Sequence, residues 1–168
     1  MDGADSIQDV DRAVYAYSDT IYRVAYHYLK NREDAEDITH DVLLKWMEKA
    51  PPFSSPEHEK AWFIRVTVNA CKDCRRQAYR VRRADMAVCP EPHAFTGISL
   101  LETVLSLPAA QSTLLYLHYY EGYSIREIAG ILRKSERAVQ SRLYRARQAL
   151  KREMEDTDDG YGILSPGD

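Results

Sequence analysis

The sequence predicts an all-α protein: two small helical domains joined by a flexible linker, the C-terminal one containing a helix-turn-helix. Three observations predict it. Apolar residues recur at spacings of three and four along nearly the whole chain, the period of a half-buried helix. The stretch "VCPEPHAFTG" (88 to 97) carries Pro90, Pro92 and Gly97, has no periodicity, and breaks the pattern as a linker would. The stretch "SIREIAGILRKSERAVQSRLYRARQAL" (124 to 150) reads as two amphipathic helices around a tight polar turn. The expected domains are residues 1–83 and 99–153, with a linker over 84–98 and an acidic, disordered tail over 154–168.

Each element follows from its residues. Val10, Val14, Tyr17, Ile21, Val24 and Tyr28 alternate spacings of four and three, so they share the core face of a helix running to about Leu29. "NREDAEDITHDVLLKWMEK" opens with acids, which the helix dipole favours, and repeats Ala35, Ile38, Val42 and Trp46 against the first helix. "APPFSSPEHE" (50 to 59) holds three prolines and is expected as an exposed loop. Helix resumes from about Glu59 with Ala61, Ile64, Val68 and Cys71 on one face and Arg65, Asn69, Lys72 and Arg76 on another. After the linker, Leu101, Val104 and Leu105 open a second set. Pro108 then suits a first helical turn, and Gly122 a C-terminal cap.

The formal net charge of −3 over 168 residues conceals strong sorting. Residues 65 to 83 carry Arg65, Lys72, Arg75, Arg76, Arg80, Arg82 and Arg83 against Asp73 alone. Residues 133 to 152 carry eight bases against Glu136 alone. Two basic faces on an acidic background point to nucleic acid. Three cysteines, an odd number, argue against a secreted disulfide scaffold. No apolar run approaches the ~20 residues that span a bilayer, and "MDGADSIQDVDR" lacks a signal-peptide layout, so a cytoplasmic protein is expected.

In the C-terminal stretch, Ser124 and Glu127 fit a capping box, and Ile125, Ile128, Ala129 and Leu132 give the first helix one apolar face. Ser135 can cap the second. Val139, Leu143, Ala146 and Leu150 point inward there, leaving Arg137, Gln140, Ser141, Tyr144 and Arg145 outward. In a helix-turn-helix the second helix enters the major groove. Arg137 and Gln140 are then the natural base readers, since Arg matches guanine and Gln adenine bidentately. Arg142, Arg145 and Arg147 are expected on phosphates.

"DAEDITHDVLLKW" (34 to 46), "AWFIRVTVNACKDCRR" (61 to 76) and "LPAAQSTLLYLHYYEGYSIREIAGIL" running into "AVQSRLYRARQAL" occur in order at plausible separations. Over about residues 15 to 150 the chain resembles the extracytoplasmic-function (ECF) group of bacterial RNA polymerase sigma factors. The resemblance implies a dissociable specificity subunit of RNA polymerase core that recognises promoters and helps melt them. Glu36, Asp37, Asp41 and Leu44 would dock on the coiled coil of the largest catalytic subunit. The loop Phe53 to His58, with Phe53, Ser54, Ser55 and His58, and the helix carrying Arg65, Asn69, Lys72 and Arg76 would open the minus-ten element. Opening needs unpaired bases captured and the backbone held on positive charge. Trp62 and Phe63 could stack on bases, with core the favoured role for Trp62. Arg137, Gln140, Ser141, Arg142, Tyr144 and Arg145 would meet the minus-thirty-five element, and the face around Leu114 to Tyr120 the polymerase flap. The linker would run near the nascent RNA path, and an anti-sigma factor is an expected partner. Two domains on one tether gain affinity through effective concentration.

Two departures from the family pattern stand out. The turn is usually Gly, an apolar residue and Ser, whereas here it is Arg133, Lys134, Ser135; a left-handed residue would have to be Arg or Lys, costing up to roughly 1 kcal/mol. Gln140 stands where lysine is frequent. Cys71, Cys74, Cys89 and His93 have ligand types suited to zinc. However, the first two sit mid-helix and the others in the linker, so small core residues are the favoured role and no cofactor is expected. The five histidines are scattered, and neither a glycine-rich phosphate loop nor a nucleophile motif occurs, so no enzyme is expected. The rival reading is an autonomous two-domain helix-turn-helix regulator.

Overall fold

The computed structural model describes the backbone of residues 3–85 and 99–161 and the side chains of 7–81 and 99–156. Cys89, His93 and the expected linker from residue 86 onward lie outside them. The chain divides into two compact units, Met1–Glu91 and Pro92–Asp168. The described residues hold helices and the turns between them, without a strand.

The first unit contains α1 (Gly3–Leu29), α2 (Arg32–Lys49) and α3 (Pro56–Asp85). Arg12, Tyr17 and Tyr28 of α1 meet Glu59, Phe63 and Arg75 of α3 at a near-constant offset of about 47 residues, so these two helices run parallel. α2 runs antiparallel and packs on both, its Trp46 meeting Glu59 and its Asp34, Asp37 and Asp41 lying by Cys74. Its start is capped by the Asn31 side chain, which accepts from the Asp34 amide at 3.0 Å. The core gathers Ala13, Tyr17, Ile21, Ala25, Ala35, Ile38, Val42, Trp62, Phe63, Val66 and Cys71. Val14 was expected among them, yet it is 40% exposed. Ala13 and Thr20 face inward beside the expected Tyr17, because the contact stripe rotates by one residue where α1 meets the first turn of α3.

That first turn also begins earlier than expected. Pro56, not Glu59, opens α3, since proline lacks only an N–H that a first helical residue leaves unpaired. Ser55 precedes it as a cap, its Oγ accepting from the His58 amide at 3.1 Å. The loop therefore spans 50–55.

The second unit contains α4 (Leu100–Ser106), α5 (Ala109–Leu115), α6 (Ile125–Leu132) and α7 (Glu136–Tyr161). Leu101, expected in its core, is 59% exposed while Thr103 and Leu105 are buried. The short α4 turns a different face to α5. Pro108 sits one residue before α5, and a π-helical turn over Tyr116–Tyr120 continues it, with those two tyrosine rings stacked at 5.2 Å. Gly122 then ends the segment at φ 79. At its other end, α7 continues through residues 154–161, which were expected to be disordered. Adding residues to an established helix is cheap, and Lys151 reaches Glu155 at 3.8 Å along it. Residues 162–168 lie outside the described part.

Candidate nucleic-acid and docking interfaces

The helix-turn-helix is built from its caps outward. The Ser124 side chain accepts from the Glu127 amide at 3.2 Å, while the Glu127 carboxylate accepts from the Ser124 amide at 2.8 Å. This reciprocal pair holds the Glu127 carboxyl below the usual carboxylate range. α6 ends with Arg133 in the left-handed region, φ 52 and ψ 49. The Lys134 amide reaches the Ala129 carbonyl at 2.9 Å and the Arg133 amide the Gly130 carbonyl at 3.4 Å. This is a Schellman closure with arginine in the position that normally suits glycine. Ser135 then caps α7, accepting from the Ala138 amide at 3.1 Å.

On α7, Val139, Leu143 and Ala146 are buried and Leu150 is half-buried. Arg137, Gln140, Ser141, Arg142, Tyr144 and Arg145 are all exposed, Tyr144 by 61%. Arg147 departs from expectation. Its Nε donates to the Tyr119 hydroxyl at 2.7 Å and its guanidinium lies 5.7 Å from that ring, so it faces the π-helical turn rather than standing free for phosphate. Within the segment Leu114 to Tyr120, the side chains of Leu114, Leu115, Tyr116 and Leu117 are buried, whereas Tyr119 and Tyr120 are exposed. Beside Tyr119 an open groove is floored by Leu115, Leu150 and Met154.

In the first unit, Glu36, Asp37 and Asp41 are exposed on α2 and Leu44 is 52% exposed. Glu36 accepts from Arg32 at 2.9 Å. Asp37 and Asp41, one turn apart, belong to the acidic face that also includes Asp34. Burial first, and then this acidic face, raises the Cys74 thiol above its ordinary value. Met47, 55% exposed and three residues beyond Leu44, adds apolar surface that the acid pattern alone did not reveal.

The expected minus-ten set is brought only partly together. Asn69 and Arg76 are exposed on α3, whereas Arg65 and Lys72 are half-buried. Phe53 is half-buried, packing edge-on to Trp62 at 5.8 Å and His58 at 5.5 Å. His58 belongs to the first turn of α3 rather than to the loop, and its Nδ1 accepts from the Ser54 amide at 3.3 Å. Trp62 and Phe63 are buried, which assigns both to the core. Cys71 is also fully buried. Burial, and to a lesser degree Cys74, pushes its thiol up to about 12, as befits a packed apolar residue.

Sequence reading missed one group altogether. Glu59 is 5% exposed and accepts four contacts: two from Arg12 at 3.0 and 3.2 Å, one from the Tyr17 hydroxyl at 2.9 Å, and one from Trp46 Nε1 at 3.0 Å. Burial alone would raise its carboxyl, but the bonds from Arg12, Tyr17 and Trp46 outweigh burial and hold it below the ordinary value. One carboxylate thus ties all three helices at the base of the loop. Its only signal in the sequence is an acid in a helix's first turn.

Fold and surface together define a two-domain helical protein whose second domain is a DNA-binding helix-turn-helix. Residues 13–81 match the family model for Sigma-70 region 2, and residues 98–150 that for Sigma-70, region 4. The chain is 30% identical over 148 residues to the ECF RNA polymerase sigma factor SigM of Mycobacterium tuberculosis, covering 85% of this chain and 76% of that protein. It is 29% identical over 136 residues to the RNA polymerase sigma factor SigV of Bacillus subtilis, covering 77% and 81%. Among solved structures, the sigma factor RpoE, co-crystallised with the anti-sigma factor NepR from Bartonella quintana, shares the fold with a TM-score of 0.72. That match has 20% identity and covers 88% of this chain and 98% of that one. The chain belongs to the sigma-70 family, in its ECF group.

Proposed function

We propose that the protein directs bacterial RNA polymerase core to specific promoters, docking through α2 and contacting the two promoter elements with one unit each. The observation that carries the reading is the sorting of charge onto separate helices: exposed acids with Leu44 and Met47 on α2, bases with Asn69 on α3, and bases with Gln140 on α7. Asp37, Asp41 and Leu44, with Glu36 at the edge, meet a basic coiled coil of the polymerase. Asn69 and Arg76, with Arg65 and Lys72 alongside, hold the minus-ten strand next to Ser54, Ser55 and His58. Arg137 and Gln140 read the minus-thirty-five element from the major groove; Ser141, Arg142, Tyr144 and Arg145 seat the helix on its backbone. Bond making belongs to the polymerase, and the protein works in the cytoplasm beside it. An anti-sigma factor is a natural partner, because it would cover these same faces.

Run-off transcription tests the reading. Core polymerase plus this protein should yield a discrete transcript that neither gives alone. Tight promoter footprinting by the protein without polymerase, unchanged when core is added and giving no transcript, would instead establish an autonomous regulator. Charge reversal of Asp37 and Asp41 to lysine should abolish capture of core polymerase while leaving tryptophan fluorescence unchanged. Retained capture removes α2 from the docking face.

A further inference from the structure

The loop 50–55 stands at the root of α3, whose other end runs on to Asp85, past the level of Leu29 at the end of α1. Trp46 lies in the last turn of α2, just before the loop, and Glu59 in the first turn of α3, just after it. The bond from Trp46 Nε1 to the Glu59 carboxylate, 3.0 Å long, therefore closes a bracket around the loop. Tyr17 joins it from α1. Its hydroxyl, 2.9 Å from the Glu59 carboxylate, also lies 3.4 Å from the Pro56 carbonyl, so the same group reaches the backbone where loop becomes helix.

Inside the bracket the chain has little freedom. Pro51 and Pro52 each hold φ at about −65°. The Ala50 amide donates to the Trp46 carbonyl at 3.1 Å, and the Ser55 carbonyl accepts from the Glu59 amide at 3.1 Å. Phe53 packs inward on Trp62 and His58, and Pro51, Pro52 and Ser54 are left exposed above it. These contacts fasten the loop to α2 or to α3. The Trp46 to Glu59 bond fastens one anchor to the other. A carboxylate 5% exposed adds no stability that well-packed apolar residues could not supply. What its directed bonds add is one arrangement of the helices, because a satisfied polar network does not tolerate the small slides that apolar packing allows.

We propose that Glu59 is a positioning residue for promoter recognition: it sets the spacing between the two ends of loop 50–55, and so the shape in which the loop meets an unpaired base of the minus-ten element. The inference rests on the minus-ten role proposed above for the loop and adds to it a residue that does not touch DNA. An unpaired base is told from the other three by hydrogen bonds in a fitted pocket. Polar groups displaced by about 1 Å pair no better with the right base than with a wrong one.

Fork probes whose unpaired minus-ten segment is randomised test it, bound by the full chain with core polymerase and then sequenced. The readout is the ratio of the preferred base to the other three at each position. Loss of folded protein lowers all binding alike and leaves these ratios unmoved. Glu59→Gln should shrink the largest ratio by up to roughly tenfold, the discrimination one hydrogen bond supplies. Trp46→Phe, which removes the N–H and keeps an aromatic ring, should do the same, and the double variant should go no further than either alone. Arg12→Met leaves the Trp46 and Tyr17 bonds in place, so it should lower stability with the ratios unchanged. Unchanged ratios in either Glu59→Gln or Trp46→Phe, or an equal shrinkage in Arg12→Met, overturn the proposal. If the unaltered protein with polymerase selects no minus-ten sequence, the promoter reading itself fails and the proposal with it, an outcome distinct from any variant's behaviour.

Discussion

Replacing Glu59 by glutamine should cost the first unit about 2 to 4 kcal/mol. The carboxylate is acceptor-only and receives four donor contacts; an amide of the same size offers one acceptor oxygen and two donors of its own. At least one of Tyr17 and Trp46 then faces an N–H instead of an oxygen, and a buried donor left unpaired costs ~1–3 kcal/mol. Losing the charge-assisted bonds to Arg12 adds ~1 kcal/mol rather than the full value for a buried pair, since the Arg12 side chain is 48% exposed and regains water. Trp46 and Trp62, the two tryptophans of the chain, both lie in the first unit, so urea unfolding followed by tryptophan fluorescence reads this unit alone. Arg12→Met should destabilise the parent and have a much smaller effect in the Glu59→Gln background. The carboxyl is held below its unfolded value. Its contribution is therefore present above the ordinary carboxylate range and is lost as pH falls through the folded value, and the glutamine variant should lack that acid-side loss. A cost below ~1 kcal/mol for Glu59→Gln, or additive effects with Arg12→Met, would refute the hub.

Other expectations follow from single residues. Arg133→Gly relieves a left-handed arginine and should stabilise the second unit by up to ~1 kcal/mol in thermal unfolding followed by circular dichroism; an unchanged or lower midpoint contradicts the strain. Ser124→Ala breaks the capping box and should cost about 1 kcal/mol by the same measurement, whereas an unaltered midpoint would mean α6 does not depend on it. His27 is buried and its pKa is lowered to about 4, first by burial and then by Arg23 and Lys30, so the unfolded chain binds its proton first. Stability should be full above pH ~6.5 and fall towards pH ~4 by about 3 kcal/mol, a slope that His27→Gln flattens in urea titrations. Gln140→Lys should change the preferred minus-thirty-five sequence in a binding selection, while Arg145→Gln should lower the salt slope by about one unit at unchanged preference. An unaltered preference would remove Gln140 from the readers.

The parts legible in the sequence are those fixed by local rules. Ser124 with Glu127 and Ser135 before α7 announce helix starts because a cap needs particular side chains at particular spacings, and the structure has both. The alternation that buries Val139, Leu143 and Ala146 is equally local and leaves Gln140 and Arg145 outward. Even the absent glycine at the turn was informative, since Arg133 takes up the left-handed conformation itself. What escaped depends on neighbours distant in the chain. Glu59 looks like any first-turn acid until Arg12, Tyr17 and Trp46 converge on it from two other helices. Arg147 reads as one more cation on a basic helix until Tyr119 reaches it from 28 residues away. Val14 fits the core period, but which of Ala13 and Val14 turns inward is decided by where α3 begins, and Pro56 was read as a helix breaker rather than a helix starter.

α3 is in effect a cantilever. Its root is bolted through Glu59 to the two neighbouring helices, and its far end projects past both of them. A load placed on the free end bears on the root as torque, so the stiffness of the projecting end is set at a carboxylate it does not touch. Weakening the Glu59 anchorage should therefore loosen the far end of α3 while leaving every side chain there unchanged.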